Sequence, residues 1–196
     1  MINKLVVASG NAGKLREIQA ILAPLNIQIV PQAELNIPEA DEPHFTFLEN
    51  ALAKARHASK LSDLPALADD SGICVDALNG APGVYSARYA GEPKSDVRNN
   101  DKLLAELNAF NDRRAHYYCV MAVVRRHDDP EPLIAEGAWY GEILCAPRGD
   151  SGFGYDPLFL IPELGLTGGE LAADVKNKIS HRAKALAALV EKLQNM

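Results

Sequence analysis

Two opposed sets of charged residues, each accompanied by glycine, carry the chemistry of this sequence. Asp69 and Asp70 are adjacent, follow an apolar run containing Leu64, Ala66 and Leu67, and precede Ser71-Gly72. Neighbouring carboxylates raise each other's pKa, so keeping both ionised calls for a cation, and clustered carboxylate oxygens suit a hard one such as Mg²⁺. Asp41 and Glu42 form a second acidic pair. Against them stand Lys14, which ends Ser9-Gly10-Asn11-Ala12-Gly13-Lys14, and the C-terminal cations Lys176, Lys178, His181, Arg182 and Lys184. The loop Arg148 to Pro157 adds glycines at 149, 152 and 154, which permit close approach of backbone to a ligand, and the rings of Phe153 and Tyr155. Acids for a metal and cations with glycine turns for an anion are together what a metal–polyphosphate substrate needs. Taken singly, each feature has a plainer reading: a solvated turn at 69–72, a tight strand–helix connection at 9–14, a mobile surface loop at 148–157, exposed cations at 176–184.

The elements that position these residues follow from periodicity. Lys4 to Ala8 is an apolar strand that runs into the 9–14 turn, and Leu15, Ile18, Ile21, Leu22 and Leu25 recur at helical spacing after it. A glycine turn at a helix N-terminus exposes backbone N–H groups to an anion. It is not a Walker A loop, being two residues short and having Leu15 where Ser or Thr belongs. Ile27–Val30 reads as a second strand, and 31–44 as a polar loop with Pro31, Pro38 and Pro43. Thr46 and Glu49 form a capping box for a helix reaching about Leu61, with Glu49, Asn50 and Lys54 on a solvated face. Ser71-Gly72 predicts a turn or bulge between two β segments. Residues 80–91 form an ordered loop, and Asp96 caps a third helix through Leu103, Leu104 and Leu107. Arg114–Arg126 and Leu133–Cys145 pair as an antiparallel hairpin about the 127–131 turn, so the sheet is mixed. After a strand at Leu158–Ile161, Ser180 caps a last helix with Leu186, Leu189, Val190 and Leu193. His181 and Arg182 then sit at its start, where positive charge opposes the helix dipole and a nearby anion would relieve it.

The totals bound the rest. A length of 196 residues with 47% hydrophobic content suits one soluble domain, 1–196. A net charge of −6 without a basic block argues against a nucleic-acid polymer or an anionic membrane as partner. No apolar run approaches the ~20 residues of a membrane span, and the N-terminus reads as a strand rather than a signal peptide. Cys74, Cys119 and Cys145 lie apart in apolar stretches, as reduced core residues of a cytoplasmic protein do, and lack metal-ligand spacing.

Six segments in order, Ser-Gly-Asn-Ala-Gly-Lys (9–14), Thr-Phe-Leu-Glu-Asn-Ala (46–51), Ala-Asp-Asp-Ser-Gly (68–72), Gly-Ala-Pro-Gly-Val-Tyr-Ser-Ala-Arg-Tyr (80–89), Gly-Phe-Gly-Tyr-Asp-Pro (152–157) and Ser-His-Arg (180–182), make the chain closely resemble the bacterial inosine/xanthosine triphosphate pyrophosphatases. The resemblance covers nearly the whole sequence. It implies an α/β fold: an elongated, mixed twisted sheet flanked by helices, with two lobes around a central cleft. It also implies a homodimer and Mg²⁺-dependent hydrolysis of non-canonical purine nucleoside triphosphates to monophosphate and pyrophosphate, with Mn²⁺ as a possible substitute. By the same resemblance Ser9, Gly10, Asn11, Ala12, Gly13 and Lys14 hold the triphosphate. Asp70 accepts a proton and binds metal, and Asp69 joins the metal set. One of Asp41 and Glu42 is a second ligand. Ser71, Phe153, Gly154, Tyr155, Asp156, Lys176, His181 and Arg182 contact substrate. Ser9 departs from the Thr of many relatives but keeps the hydroxyl.

In that mechanism water attacks the α-phosphorus in line, Asp70 orients or deprotonates it, and Lys14, the 9–14 amides and Lys176 stabilise the developing charge. Arg182 and His181 offer donors to a 6-oxo purine, which adenine would answer with another donor. Two rivals are a nucleotide sensor without turnover, which needs no general base, and a pyrophosphatase acting on modified pyrimidine nucleotides.

Overall fold

Parallel neighbours in a sheet require a crossover, and the N-terminal part of the chain makes two with helices. The structure, a computed structural model, describes residues 2–195. β1 (Lys4–Val7) is followed by α1 (Ala12–Leu22) and β2 (Gln28–Pro31), which lies parallel to β1 with Leu5 opposite Ile29. α2 (Phe47–Ser62) then leads into β3 (Ala66–Val75), parallel to β1 on its other side with Val6 opposite Ala66. Beyond α3 (Asp96–Leu107) come β4 (Arg114–Val124) and β5 (Leu133–Ile143). They are neighbours joined by 125–132, too short for a crossover, so they run antiparallel. β6 (Phe159–Ile161) and β7 (Leu166–Thr167) extend the sheet antiparallel. α4 (Ala173–Ile179) and α5 (His181–Gln194) close the chain. The strand order β2-β1-β3-β4-β5-β6-β7 makes the mixed α/β sheet that was expected.

The chain divides into two compact units. The first comprises residues up to Asp70, Cys119–Gly137 and the chain from Arg182; the second comprises Ser71–Tyr118 and Ala138–His181. In the first, Ile18 and Leu22 of α1 and Ala185, Leu186 and Leu189 of α5 pack with Leu5, Val7, Leu67 and Met121 of the strands. α2 buries a face of small residues instead, Ala51, Ala55, Ala58 and Ser59, at helical spacing. The core of the second unit joins Leu103 and Leu107 of α3 to Ile73, Tyr117, Trp139, Tyr155 and Phe159.

Four local expectations change. β3 runs unbroken through Asp69-Asp70-Ser71-Gly72, so no turn follows the two acids; each carboxylate meets interior partners on its own side of the strand, and the chain has no need to break. The N-cap of α3 is Ser95, whose Oγ accepts from Arg98 N at 3.3 Å, and Asp96 becomes the first helical residue. A separate helix, α4, precedes α5 and carries Lys176. Cys119 is buried and Cys74 half-buried, but Cys145 lies beyond the end of β5 and is exposed rather than part of the core. No helix among the described residues is long and apolar enough to cross a membrane.

Candidate active site

Successive side chains of a strand point to opposite faces, and this separates the two acids of β3. Asp69 continues the row of Leu67 towards α1 and α5. Lys14 Nζ lies 2.9 Å from Asp69 Oδ2, and Arg182 Nε lies 3.5 Å from the same oxygen. Arg182 also pairs with Glu17, one turn along α1 from Lys14. The Asp69 and Arg182 side chains are 1% and 2% exposed, so these are interior ion pairs. Burial alone would raise the Asp69 carboxyl, but Lys14, Arg182 and Lys54 outweigh it and hold it well below the usual carboxylate range. Burial likewise opposes the charge on Arg182, and Asp69, Cys119 and Glu17 overcome it. Positive charge at the start of α5 is thus relieved by the protein's own acids.

Asp70 faces α2. Lys54 Nζ is 3.0 Å from Asp70 Oδ1 and 2.7 Å from Glu42 Oε1, while Asn50 Nδ2 donates to Asp70 Oδ2 at 3.3 Å. Asn50 and Lys54 are four residues apart and share one face of the helix. The Asn50 amide also clasps the His44 backbone, accepting from its N at 3.1 Å and donating to its O at 3.2 Å, which anchors the acidic loop beside Glu42. Burial raises the Asp70 carboxyl, and Lys54 and Lys14 only partly offset it. Lys54 is itself raised, because Asp70, Asp69 and Glu42 together overcome the burial that would lower it. Adjacent acids are therefore driven in opposite directions, the pattern that separates an always-ionised charge from a group able to exchange a proton.

The donor set fits Mg²⁺. Glu42 and Asp70 present carboxylate oxygens to one cationic point, filled by Lys54 Nζ, and oxygen donors of this kind suit a hard divalent ion. Among the described residues no three His, Cys, Asp or Glu side chains gather as a metal group. Mg²⁺ commonly takes only one or two carboxylates and completes its shell with water and phosphate. Of the acidic pair, Glu42 reaches this point, whereas Asp41 is exposed. Asp69 turns to Lys14 and Arg182 on the other face, away from Glu42's partner Lys54.

The 9–14 loop caps itself. Asn11 is the N-cap of α1, its Oδ1 accepting from Gly13 N at 2.8 Å and Lys14 N at 3.1 Å, while Ser9 Oγ accepts from Asn11 N at 3.2 Å. Ala12 begins the helix, whose first turn holds no acid.

In the second unit Asp156 is buried and forms the hub of the 152–156 loop. It accepts from Phe153 N at 2.8 Å and from Lys176 Nζ at 2.5 Å. Lys176 Nζ also lies 4.8 Å from the centre of the Phe153 ring. Gly154 is held by α3, its N donating to Asp96 at 2.7 Å and its O accepting from Asn100 at 3.1 Å. Tyr155 is not a ring offered to a ligand: it is buried in the core and donates to Ser86 O at 2.8 Å. Ser71 is half-buried. His181, also buried, stacks on Tyr117 with ring centres 4.7 Å apart and planes 8° from parallel.

Asn50 and Lys54, expected on a solvated face, instead turn inward, Asn50 fully buried and Lys54 paired with Glu42 and Asp70; Glu17 and Tyr117 carry no expectation from sequence. Asn50 and Lys54 had a usable signal, since the pair at i and i+4 directly follows a capping box. Glu17, three residues after Lys14 on α1, had a weaker one. Nothing in sequence brings Tyr117 to His181.

Comparison with known proteins agrees along the whole chain. It is 63% identical over 196 residues to a Ralstonia nicotianae protein named dITP/XTP pyrophosphatase, with 98% of both chains covered. It is 62% identical over 192 residues to a protein of the same name from Nitrosomonas europaea, covering 98% of this chain and 95% of that one. The solved structure of a HAM1 protein from Coxiella burnetii superposes with a TM-score of 0.94 at 47% identity and complete coverage of both chains. The profile of the Ham1 family matches residues 5–192, and by that match and these relatives the chain belongs to the Ham1 family.

Proposed function

We propose that this protein is a nucleoside triphosphate pyrophosphatase that hydrolyses deoxyinosine, inosine and xanthosine triphosphates to the monophosphate and pyrophosphate. The observation that carries the reading is the placement of the two acids of β3 on opposite faces: Asp69 against Lys14 and Arg182, Asp70 beside Lys54, which it shares with Glu42. The names borne by the relatives in Ralstonia nicotianae and Nitrosomonas europaea support it.

Asp70 takes the proton of the attacking water, a role suited to a carboxylate that burial makes more basic. Lys14, fixed in direction by Asp69, and the backbone of the 9–14 loop bind the triphosphate and stabilise charge on the departing pyrophosphate. Glu42 and Asp70 would hold Mg²⁺, or Mn²⁺ in its place, which when bound withdraws charge from phosphate oxygens. Lys54 Nζ bridges the two carboxylates. Phe153, Lys176 and His181 serve substrate contact in the second unit, as the resemblance implies. The same reading makes the enzyme a cytoplasmic homodimer.

Incubation with a nucleotide panel, with pyrophosphate and orthophosphate detected separately, tests the proposal. Pyrophosphate release from ITP and XTP, far faster than from ATP and abolished by excess chelator, is the expected result. Orthophosphate as the first product, or equal rates for ITP and ATP, would overturn it.

A further inference from the structure

We propose that Glu39 is a built-in competitor for the phosphate position of the 9–14 loop; the inference rests on the reading that this loop binds phosphate. Gly10 leaves a gap in the loop where any other residue would place a side chain. Glu39 fills it: a Cβ added to Gly10 would lie 2.1 Å from Glu39 Oε1 and 3.3 Å from its carboxyl carbon. A carboxylate oxygen is the closest side-chain counterpart of a phosphate oxygen, and it occupies the space a glycine-lined cradle keeps for a ligand.

Charge and setting agree with a displaceable occupant. The first turn of α1 contains no acid of its own, so Glu39 brings negative charge to that end of the helix from another segment. Glu42, Asp69 and Asp70 each have a cation at 3.0 Å or less. Glu39 is exposed, and among the described residues no ion pair ties it down. It belongs to 37–44, a stretch without regular secondary structure. That combination permits the carboxylate to leave when an anion arrives.

Glu39 and a bound phosphate exclude each other, by volume and by like charge. Every ligand of the loop then binds with an affinity reduced by the fraction of protein in which Glu39 has vacated it. The penalty falls on product as well as substrate, so released pyrophosphate rebinds less readily.

The test is calorimetric titration with inorganic pyrophosphate in chelator, which removes any effect of Glu39 on metal. Wild type, Glu39→Gln and Glu39→Ala are compared, with Lys14→Ala as the control for binding at this loop. Both Glu39 variants should bind about tenfold tighter than wild type, the scale of one like charge a few ångströms away at a partly exposed site. The gap should narrow at high salt, and Lys14→Ala should weaken binding. Equal or weaker binding by both Glu39 variants, with wild type still binding, overturns the role of Glu39 and leaves the loop's reading intact. No binding by wild type or either Glu39 variant overturns both.

Discussion

Asp69 and Asp70 are chemically the same residue made unequal by the side of the strand they face, and single substitutions should reveal it. Asp70→Asn removes a carboxyl whose ionised form burial already disfavours, so the fold should survive with a melting temperature close to wild type. Turnover should fall about 10²–10⁴-fold, the usual loss of a general base. Asp69→Asn leaves Lys14 and Arg182 inside the protein without their main counter-charge. Breaking such a buried pair costs about 3–5 kcal/mol, read as a large fall in melting temperature. The pH dependence has a definite sign. A carboxyl held low contributes its stability in full above the unfolded value of about 3.9 and loses it as pH falls through the folded value. The difference in melting temperature between wild type and Asp69→Asn should therefore be full at pH 7 and shrink steadily below pH 4. Equal loss of stability in the two variants at pH 7 would remove the distinction between them. At this scale the sequence revealed which residues matter better than what each one touches. Arg182 reads as a free donor for a purine, yet its guanidinium is held by Asp69 and Glu17.

Elements were legible where periodicity ran long and illegible where a polar residue sat inside. α1, α2 and the long strands follow from apolar spacing, and Thr46 caps α2 as expected, its Oγ1 accepting from Glu49 N at 3.2 Å; the Glu49 carboxylate reaches back to the Thr46 hydroxyl, at 2.6 Å, in place of the backbone N–H of a full capping box. β3 was broken too early because Asp-Asp-Ser-Gly has turn chemistry locally, while ion pairs made at long range override it. α4 escaped notice because it is short and lacks a side-chain N-cap. The 148–157 loop was found from its glycines, and its geometry supplies a prediction. Gly152 has φ +81°, and a Cβ there would lie 2.1 Å from Asp156 Oδ2. Gly152→Ala should strain the backbone by about 1 kcal/mol or more and push Asp156 away from Phe153 N and Lys176. If the loop and Lys176 serve substrate binding, KM for ITP should rise several-fold or more with a smaller change in kcat. Asp156→Asn should share that pattern, because it removes the charge that directs Lys176. An unchanged KM in both variants would make this hub purely structural.

For the whole molecule, charge and topology say different things about legibility. Periodicity and composition do not reveal the two compact units, which only the resemblance suggested as two lobes, since each is assembled from segments far apart in the chain, and the border between them cuts β3 between Asp70 and Ser71. Net charge was readable at once, and it limits what form of substrate the protein can use. At −6 with pI near 5.4, the surface opposes the approach of a nucleic-acid polymer, whose many phosphates extend beyond any one site. Three of the protein's cations are already matched to acids: Lys14 to Asp69 and Arg182 to Asp69 and Glu17 in the first unit, Lys176 to Asp156 in the second. Binding to DNA or RNA draws chiefly on Lys and Arg that neutralise many phosphates at once, and a net charge of −6 supplies no overall excess of them. A hypoxanthine base should therefore be acted on in a free triphosphate and ignored in a polymer. Single- and double-stranded oligonucleotides containing inosine, added at micromolar concentration and low salt, should neither inhibit ITP hydrolysis nor shift in a binding assay. Low salt is the demanding condition, because it strengthens any electrostatic attraction to nucleic acid. Competitive inhibition there, relieved by raising salt, would reveal a local cationic track that net charge conceals.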